Sequence, residues 1–214
     1  MKMKLFQYWN TRAVPDEVET LMRTWEHDTA FEYWRYHEET AIAYLRYHFG
    51  PRELKAFQSC GVPAMQADFF RYCALQAEGG IYVDADTYRG GNLAGLLAEA
   101  DRGMFMTRET RVANDFLFVR EPGDPLFRRF VDQAVENIER RSSQNVWKVT
   151  GPWIPTELYK SPGGSVLFEG FSIRPVKDIR GIVCFKHKMD YKNTADDWRC
   201  NLDKVRAPSI FKDN

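Results

Sequence analysis

Residues 63–87 constrain the fold of this chain more than any other stretch. Pro63 suits the first turn of a helix, and residues 64–78 contain neither Gly nor Pro and are rich in helix-favouring types. Gly79 and Gly80 follow, and glycine can adopt the left-handed conformation that ends a helix. The apolar residues 81–83 then predict a strand. This order of helix, glycine stop and strand predicts one unit of an α/β fold.

Two carboxylates, Asp84 and Asp86, lie one residue apart where the predicted strand ends. Because side chains alternate along a strand, both carboxylates point to the same side. Oxygen ligands of this kind suit Mg²⁺, Mn²⁺ or Ca²⁺, and α/β proteins bind ligands at the tips of their strands. An Asp-x-Asp tripeptide alone is better interpreted as a polar turn, because it is common by chance. The prediction of a cation site therefore depends on the whole stretch.

The helix predicted over residues 64–78 carries an acid and a base on one face. Asp68 and Arg71 are three residues apart, so their side chains are close enough to act together. The opposite face is mostly apolar and includes Met65, Phe69, Tyr72, Cys73 and Gln76. For Asp68 and Arg71, the alternative to a functional role is an ion pair on the protein surface, worth about 0.3–0.5 kcal/mol.

The remaining chain predicts alternating strands and helices. Strands are predicted over residues 5–9, 31–36, 103–107, 115–119, 166–168, 171–173 and 182–185. Helices are predicted over residues 15–26, 38–49, 52–60, 93–100, 125–141 and 152–159, with Asp124 as an N-cap and residues 88–92 as a loop. This pattern favours an α/β fold with a mixed, mostly parallel central sheet flanked by helices. No repeat or linker divides the chain, so one domain is expected over residues 1–214.

Composition narrows the functional classes. Thirty basic and thirty acidic residues balance, which argues against a nucleic-acid-binding protein. Aromatic side chains are abundant, as suits a carbohydrate or nucleotide binder, although core packing also uses them. No C-x-x-C pair occurs, which argues against a zinc site, and a Cys184–Cys200 bridge is left open. No segment is long and apolar enough for a signal peptide or a membrane span, so a soluble protein is expected, with membrane-surface contact left open.

Residues 66–86, Q-A-D-F-F-R-Y-C-A-L-Q-A-E-G-G-I-Y-V-D-A-D, resemble the core motif of the sugar transferases with a DXD sugar-binding region. Members of that family include a yeast initiating α-1,6-mannosyltransferase, vertebrate α-1,4-galactosyl- and N-acetylglucosaminyltransferases, and similar domains of clostridial toxins. Weaker similarities cover most of the chain. They are F-Q-Y-W at 6–9, F-E-Y-W at 31–34, Asn114 with Gly123-Asp124-Pro125, Thr150-Gly151-Pro152, and His187 with Asp197-Trp198.

The resemblance implies a glycosyltransferase of the GT-A fold that uses a nucleotide-sugar donor and Mn²⁺ or Mg²⁺. It implies Asp86 as the more direct metal ligand, and Asp84 as a group that reaches the ribose or the metal through water. His187 is a third candidate ligand, the alternative being a surface histidine. UDP-sugars are the favoured donors over GDP-sugars, and the acceptor is expected to be a glycan or a glycolipid.

The resemblance also implies roles for other side chains. Asp68 and Arg71 would hold the donor sugar, and Trp9 would stack on the nucleobase, the alternative for Trp9 being ordinary core packing. Tyr82 would pack under the ribose or fill the sheet. The predicted catalytic residues are Asp68, Arg71 and Asp86; the predicted donor-binding residues are Trp9, Tyr82, Asp84, Asn114 and Trp198; and the predicted metal ligands are Asp84, Asp86 and His187.

The chain departs from the family pattern at two positions. Asp124 stands where the family often has His, which is consistent with a change of helix cap, and Asp197 stands where it often has Ser, which leaves the role of Trp198 open. The chain is also short for the family. With no membrane anchor in the sequence, a bacterial cytoplasmic enzyme of surface-glycan synthesis is expected.

The resemblance implies retention of anomeric configuration. No carboxylate in the sequence is identifiable as a nucleophile, so front-face attack is the favoured mechanism, with the donor phosphate taking the proton of the acceptor. One alternative is a non-catalytic nucleotide-sugar-binding module. Another is a phosphatase of the haloacid dehalogenase type, which needs Thr or Val two residues after the second Asp, where this chain has Tyr88.

Overall fold

The structure is a computed structural model, and it describes residues 2–185, 189–194 and 209–212. The strands are β1 (Met3–Tyr8), β2 (Phe31–Tyr36), β3 (Gly80–Val83), β4 (Thr87–Arg89), β5 (Gly103–Arg108), β6 (Arg111–Val119), β7 (Phe171–Pro175) and β8 (Val183–Phe185). The helices are α1 (Asp16–Glu26), α2 (Glu38–His48), α3 (Pro51–Gln58), α4 (Pro63–Glu78), α5 (Leu93–Ala98), α6 (Pro125–Glu139), α7 (Val146–Val149), α8 (Trp153–Lys160), α9 (Gly164–Leu167) and α10 (Val176–Ile179), with a 3-10 helix at Asp190–Asn193.

A six-stranded sheet with the order β2-β1-β3-β6-β5-β7 forms the centre of the fold. The strands β1, β2, β3, β5 and β7 run in one direction, and β6 is antiparallel to both of its neighbours. A separate two-stranded antiparallel sheet pairs β4 with β8. The predicted α/β class with a mixed, mostly parallel sheet flanked by helices is confirmed.

The side chains of the sheet alternate between two hydrophobic cores, as the period of a strand requires. Tyr82 points into the core that contains α2, α3, α4 and α6. Its neighbours Ile81 and Val83 point into the opposite core, which contains α5 and Trp25 of α1. The molecule therefore has helices on both faces of the sheet, and β3 is buried on both sides.

Helix α4 is more deeply buried than its two-faced pattern predicts, because it packs against the sheet and against α6. It ends at Gly79, which has a positive φ of 64°. The next residue, Gly80, has a φ of 95°, and a Cβ there would lie 2.5 Å from the carbonyl oxygen of Lys4. Glycine at position 80 is therefore required for α4 to pass directly into β3 beside β1.

Three segments differ from the sequence-based prediction. Residues 87–89, expected at or beside a loop, form β4 because they pair with distant β8. The apolar residues 166–168, predicted as a strand, follow the left-handed Gly163, and the short helix α9 ends at Leu167. Helix α7 was not predicted, and its four residues are too few for a helical period to show in the sequence. Throughout the described ranges, no helix combines the length and apolarity needed to cross a membrane.

Candidate functional site

The two carboxylates of the Asp-x-Asp pair follow directly after β3, and the antiparallel strand β6 runs beside them. Val83 pairs with Phe116, and the backbone N–H of Asp84 donates to the carbonyl oxygen of Asp115 at 2.9 Å. Since β6 is antiparallel to β3, its N-terminal half passes the carboxyl end of β3. This arrangement brings Asn114 and Asp115 next to the acid pair.

Arg71 of α4 links the helix to the acid pair. Its Nη2 lies 3.1 Å from Oδ1 of Asp68 and 2.9 Å from Oδ1 of Asp84, and its Nη1 donates to the carbonyl oxygen of Asn114. The guanidinium also lies over the ring of Tyr82, at 4.6 Å from the ring centroid. The side chains of Arg71 and Asp68 are only 4% and 9% exposed, so the alternative of a surface ion pair is wrong.

Asp68 is held from several directions. The Nδ2 of Asn114 donates to Oδ1 at 2.8 Å, and the hydroxyl of Thr150 donates to Oδ2 at the longer distance of 3.5 Å. Burial raises the pKa of Asp68, while Arg71 and these hydrogen bonds act in the opposite direction. A Cβ on Gly151 would lie 3.1 Å from Oδ2 of Asp68, so the glycine leaves space at this oxygen. Oδ2 therefore has the weaker protein contact and is the atom better placed to accept from a ligand.

Burial raises the pKa of Asp84 above its usual range, and the nearby carboxylates Asp86, Asp115 and Asp68 raise it further. Arg71 lowers it without cancelling these effects. Two of these carboxylates, Asp68 and Asp84, share the buried guanidinium of Arg71, while Asp86 pairs with Lys192 and Asp115 pairs with Arg108. The raised pKa of Asp84 shows that Arg71 alone does not offset the burial and the neighbouring negative charges.

A first cavity of about 170 Å³, called here the Trp9 cavity, opens beside the acid pair. Its wall includes Trp9 after β1, Asp84 and Asp86, and Tyr191 of the 3-10 helix. The Trp9 and Tyr191 rings meet edge to face with centroids 5.4 Å apart. An aromatic side chain and two carboxylates therefore share one small cavity.

A second cavity of about 330 Å³, called here the Asp68 cavity, lies on the other side of Arg71 and Asp84. Both of these side chains, with Ala64, line both cavities. The other residues that line the Asp68 cavity are Asp68, Arg108, Arg111, Val112, Ala113, Asn114, Asp115, Val146, Trp147 and Pro152. The ion pair of Arg71 and Asp84 therefore stands where the two cavities meet.

The side chain of Asp86 is as exposed as that of Asp84, at 27% each, but it has different partners. Its Oδ2 lies 2.6 Å from Nζ of Lys192 and accepts from the hydroxyl of Tyr191 at 3.4 Å. The 3-10 helix that carries both residues is held by Glu17 of α1, whose carboxylate accepts from the backbone N–H groups of residues 190 and 191. A segment distant in sequence thus covers this edge of the Trp9 cavity.

The donor set at the acid pair fits a hard divalent cation. Asp84 and Asp86 both line the Trp9 cavity, and Oδ2 of Asp86 already binds a cation there, Nζ of Lys192. Within the described part of the chain, no group of three or more His, Cys, Asp or Glu side chains is arranged as a metal cluster. Two carboxylates with substrate phosphates and water complete the coordination that Mg²⁺ usually has in proteins.

The predicted site residues fall into three groups. Asp68, Arg71, Asp84, Asp86, Asn114 and Trp9 lie around the two connected cavities. Tyr82 is fully buried, and its ring packs against the guanidinium of Arg71. Its predicted contact with the ribose stays a prediction. His187 and Trp198 lie outside the described residues, as does Cys200 of the bridge that was left open.

Sequence reasoning missed Asp115, Arg108, Trp147, Tyr191 and Lys192. Asp115 lies in β6 next to the predicted Asn114 and forms an ion pair through Oδ2 with Arg108, while its Oδ1 is buried with no hydrogen-bond partner among the described residues. The signal for Asp115 was a charged residue at the start of the predicted strand 115–119, whose other residues are apolar. No local signal marks Tyr191 or Lys192, since only the fold brings them to the acid pair.

Comparisons with known proteins show similarity to glycosyltransferases. Residues 6–102 match the family model described as "Glycosyltransferase sugar-binding region containing DXD motif". That match covers the predicted first strand, α4 and the acid pair. The resemblance to the sugar transferases with a DXD region is confirmed.

Two particular proteins are similar to this chain. The Saccharomyces cerevisiae protein named "Putative glycosyltransferase HOC1" is 22% identical, over 71% of this chain and 47% of its own length. The chain thus spans about half the length of this curated relative. The solved structure "PaToxG Glycosyltransferase" superposes with a TM-score of 0.54 and 17% identity, covering 76% of this chain and 70% of that one, which supports a shared fold. These matches favour the transferase class over the phosphatase alternative.

Proposed function

We propose that this chain transfers a sugar from a nucleotide diphosphate-sugar to a hydroxyl group of a glycan or glycolipid acceptor, with a divalent metal ion and a GT-A fold. One observation carries the proposal. The Trp9 cavity and the Asp68 cavity meet at Arg71 and Asp84, so a donor that spans both would have its diphosphate beside the acid pair. UDP-sugars are the favoured donors.

The nucleotide lies in the Trp9 cavity in this proposal. The indole of Trp9 stacks on the base, an interaction worth about 1–3 kcal/mol per base in proteins that bind single strands. Asp84 and Asp86 would face the diphosphate and would hold Mn²⁺ or Mg²⁺. When bound, that ion stabilises the negative charge that develops on the leaving diphosphate.

The sugar lies in the Asp68 cavity in this proposal. Oδ2 of Asp68 accepts from a sugar hydroxyl, since its protein donor, Thr150, is distant at 3.5 Å. Asn114 and Arg71 hold Asp68 in place through hydrogen bonds and an ion pair within the core. Buried partners of this kind fix the carboxylate before the sugar arrives, which is how rigid sites orient substrates.

Transfer proceeds with retention through front-face attack in this proposal. The acceptor oxygen forms its bond to the anomeric carbon on the face that the diphosphate leaves, and the acceptor proton passes to the leaving phosphate oxygen. Arg71 stays between Asp68 and Asp84 and offsets part of their charge. The stereochemistry of the product, determined by NMR, tests this step, and an inverted linkage would refute it.

A screen of thermal stability tests the proposed function. The protein is heated with UDP, GDP and their sugars, with and without Mn²⁺. A ligand present at 100 times its dissociation constant stabilises the folded state by about 2.7 kcal/mol. We expect one nucleotide to stabilise the protein in a metal-dependent way, and Asp86→Asn to remove the metal dependence. Stabilisation by none of the nucleotides, or equal stabilisation of the Asp86→Asn variant, would refute the proposal.

A turnover assay distinguishes an enzyme from the alternative, a non-catalytic nucleotide-sugar-binding module. The module would be stabilised by the nucleotide but would neither hydrolyse nor transfer the sugar. Free sugar released from the stabilising donor, measured by anion-exchange chromatography, would identify an enzyme. A role in surface-polysaccharide or glycoconjugate synthesis, in the cytoplasm of a bacterium, is the biological setting we propose.

A further inference from the structure

Exposed aromatic side chains are concentrated on α7 and α8. Among the described residues, Trp147 is 47% exposed, Trp153 is 39% exposed and Tyr159 is 38% exposed. Large aromatic side chains are normally packed in the core or in an interface, because each covers a large apolar area. Three of them within one short segment therefore indicate a binding surface.

This surface continues directly from the proposed sugar site. Trp147 and Pro152 line the Asp68 cavity together with Asp68, Arg71 and Asp84. The adjacent residues Lys148 and Trp153 line a further cavity of about 430 Å³, called here the Trp153 cavity. Because 147 and 148 are consecutive, and 152 and 153 are consecutive, the same segment forms a wall of both cavities.

The indole rings on this surface are held by neighbouring cations. The guanidinium of Arg111 lies 5.3 Å from the ring centroid of Trp147, and Nζ of Lys148 lies 5.6 Å from that of Trp153. Contacts of this kind are attractive and restrict the orientation of the ring. The two indole rings are therefore already restricted in orientation before a ligand binds, which lowers the entropy cost of binding.

Polar side chains in the Trp153 cavity add hydrogen-bonding groups to this aromatic surface. The cavity is lined by Gln133, Asn137, Glu157 and Ser161 beside the indole of Trp153. A sugar ring has apolar C–H faces that suit an aromatic surface and hydroxyl groups that suit amides and carboxylates. A site with an aromatic platform and a few polar groups matches that combination.

We propose that the α7–α8 surface binds the acceptor, and that the acceptor is a glycan chain of at least two sugar units. Its terminal sugar lies against Trp147 at the entrance of the Asp68 cavity, and its preceding unit lies against Trp153. This inference rests on the proposed function for the identity of the reacting end. The binding of a glycan chain itself does not need turnover and can be tested alone.

Direct binding is the first test. Oligosaccharides of one to four units from the mannose, glucose and N-acetylglucosamine series are titrated by calorimetry into the protein, with Trp147→Ala, Trp153→Ala and Tyr47→Ala as variants. Tyr47 is 84% exposed on α2, away from the site, and serves as the control. We expect affinity to rise from one unit to two or three in at least one series. We expect Trp147→Ala to weaken every length by about tenfold or more, as for a central aromatic contact.

Trp153→Ala gives the sharper result. It should leave the single sugar unchanged and remove the gain from the second and third units, while Tyr47→Ala changes neither. Binding by none of the three series would overturn the proposal, as would affinities that Trp147→Ala and Trp153→Ala leave unchanged. A change in the association state of either Trp variant, seen by analytical ultracentrifugation, would overturn it in favour of a contact between copies of this chain.

The thermal screen with nucleotides keeps the two proposals distinct. Nucleotide stabilisation without glycan binding would support the proposed donor site and refute this acceptor surface. Glycan binding without nucleotide stabilisation would support the acceptor surface and refute the proposed donor site. Trp153→Ala should keep the full stabilisation by UDP and Mn²⁺, because Trp153 lines neither the Trp9 cavity nor the Asp68 cavity.

Discussion

Asp84 and Asp86 are separated by one residue, yet they lie in two different kinds of environment. Asp84 pairs with the buried guanidinium of Arg71, which is held between α4, β3 and β6. Asp86 pairs with Lys192 from a 3-10 helix that lies far away in sequence and docks onto α1. The two carboxylate side chains are equally exposed at 27%, but the cationic partner of Asp84 is only 4% exposed and that of Asp86 is 15% exposed.

The site therefore has two parts. The buried half consists of Asp68, Arg71, Asp84 and Asn114, and the open half consists of Asp86, Lys192, Tyr191 and Trp9. The buried half has short contacts between residues of the three elements that also form the centre of the molecule, so its geometry exists before a ligand binds. The open half relies on a single short helix and one ion pair with partial solvent exposure. We therefore expect substitutions in the buried half to change stability and those in the open half to change ligand binding.

Arg71→Met tests the buried half and should have the largest effect. It leaves Asp68 and Asp84 in the core without their shared counter-ion. Breaking a buried ion pair from one side typically costs about 3–5 kcal/mol, and we expect a loss of that size in the free energy of unfolding, measured by urea denaturation.

Arg128→Met is the matched control for Arg71. Arg128 is also a helical arginine between two carboxylates, Glu53 and Asp132, but its side chain is 39% exposed. Its substitution should cost at most about 1 kcal/mol, as exposed ion pairs do. Equal losses for the two variants would contradict the distinction between a buried and an open half.

Asp86→Asn tests the open half. Removing this carboxylate breaks the partly exposed pair with Lys192 and weakens the long hydrogen bond from Tyr191, so we expect little change in urea denaturation. The stabilisation by nucleotide and Mn²⁺, about 2.7 kcal/mol at 100 times the dissociation constant, should disappear. Asp132→Asn, at another partly exposed pair, should keep that stabilisation in full. A large loss of stability in the absence of ligand would place Asp86 with the buried half instead.

The buried half could be predicted from the sequence because its signals are local. The spacing of Asp68 and Arg71, the two glycines and the apolar strand before Asp84 lie within one continuous stretch. Their connection to Asn114 was suggested by resemblance, and the structure supplies the physical reason, which is that β6 runs antiparallel beside β3. The spacing of apolar residues predicts where helices and strands occur, but it does not predict the direction in which a neighbouring strand runs.

The open half could not be predicted, because its contacts join residues that are far apart in the chain. Lys192 and Tyr191 lie in a polar region where no period marks a helix, and their position depends on Glu17. Strand β4 escaped prediction for the same reason, since it exists only through its pairing with β8. Trp147 was missed because α7 is only four residues long.

Trp9→Ala tests whether the open half of the site binds the nucleobase. The indole is partly exposed and lines the Trp9 cavity with Asp86 and Tyr191. Loss of base stacking should weaken nucleotide binding by about 1–3 kcal/mol, measured by calorimetry. UMP and UDP should lose the same amount, because the change is at the base. Trp34→Ala, at another partly exposed tryptophan, is the control, and equal weakening by both variants would argue against stacking.

Asp115→Asn should have the smallest effect, and it tests whether the carboxylate beside Asp84 takes part in chemistry. Asp115 pairs with Arg108, and both side chains are partly exposed, so the lost ion pair should cost about 1 kcal/mol or less. Front-face attack uses the donor phosphate rather than a protein carboxylate. Under that mechanism the transfer rate should fall by less than about tenfold, which corresponds to 1.36 kcal/mol in the barrier.

The contrary result for Asp115 would be equally informative. A loss of about a thousandfold in transfer, with nucleotide binding retained, would show that Asp115 acts on the reacting carbon. Intact mass spectrometry of the unaltered protein with donor but no acceptor would then detect a glycosyl adduct, and peptide mapping would place it on Asp115. Asp115 is a candidate for such a covalent route because it lines the Asp68 cavity, where the donor sugar lies in the proposal.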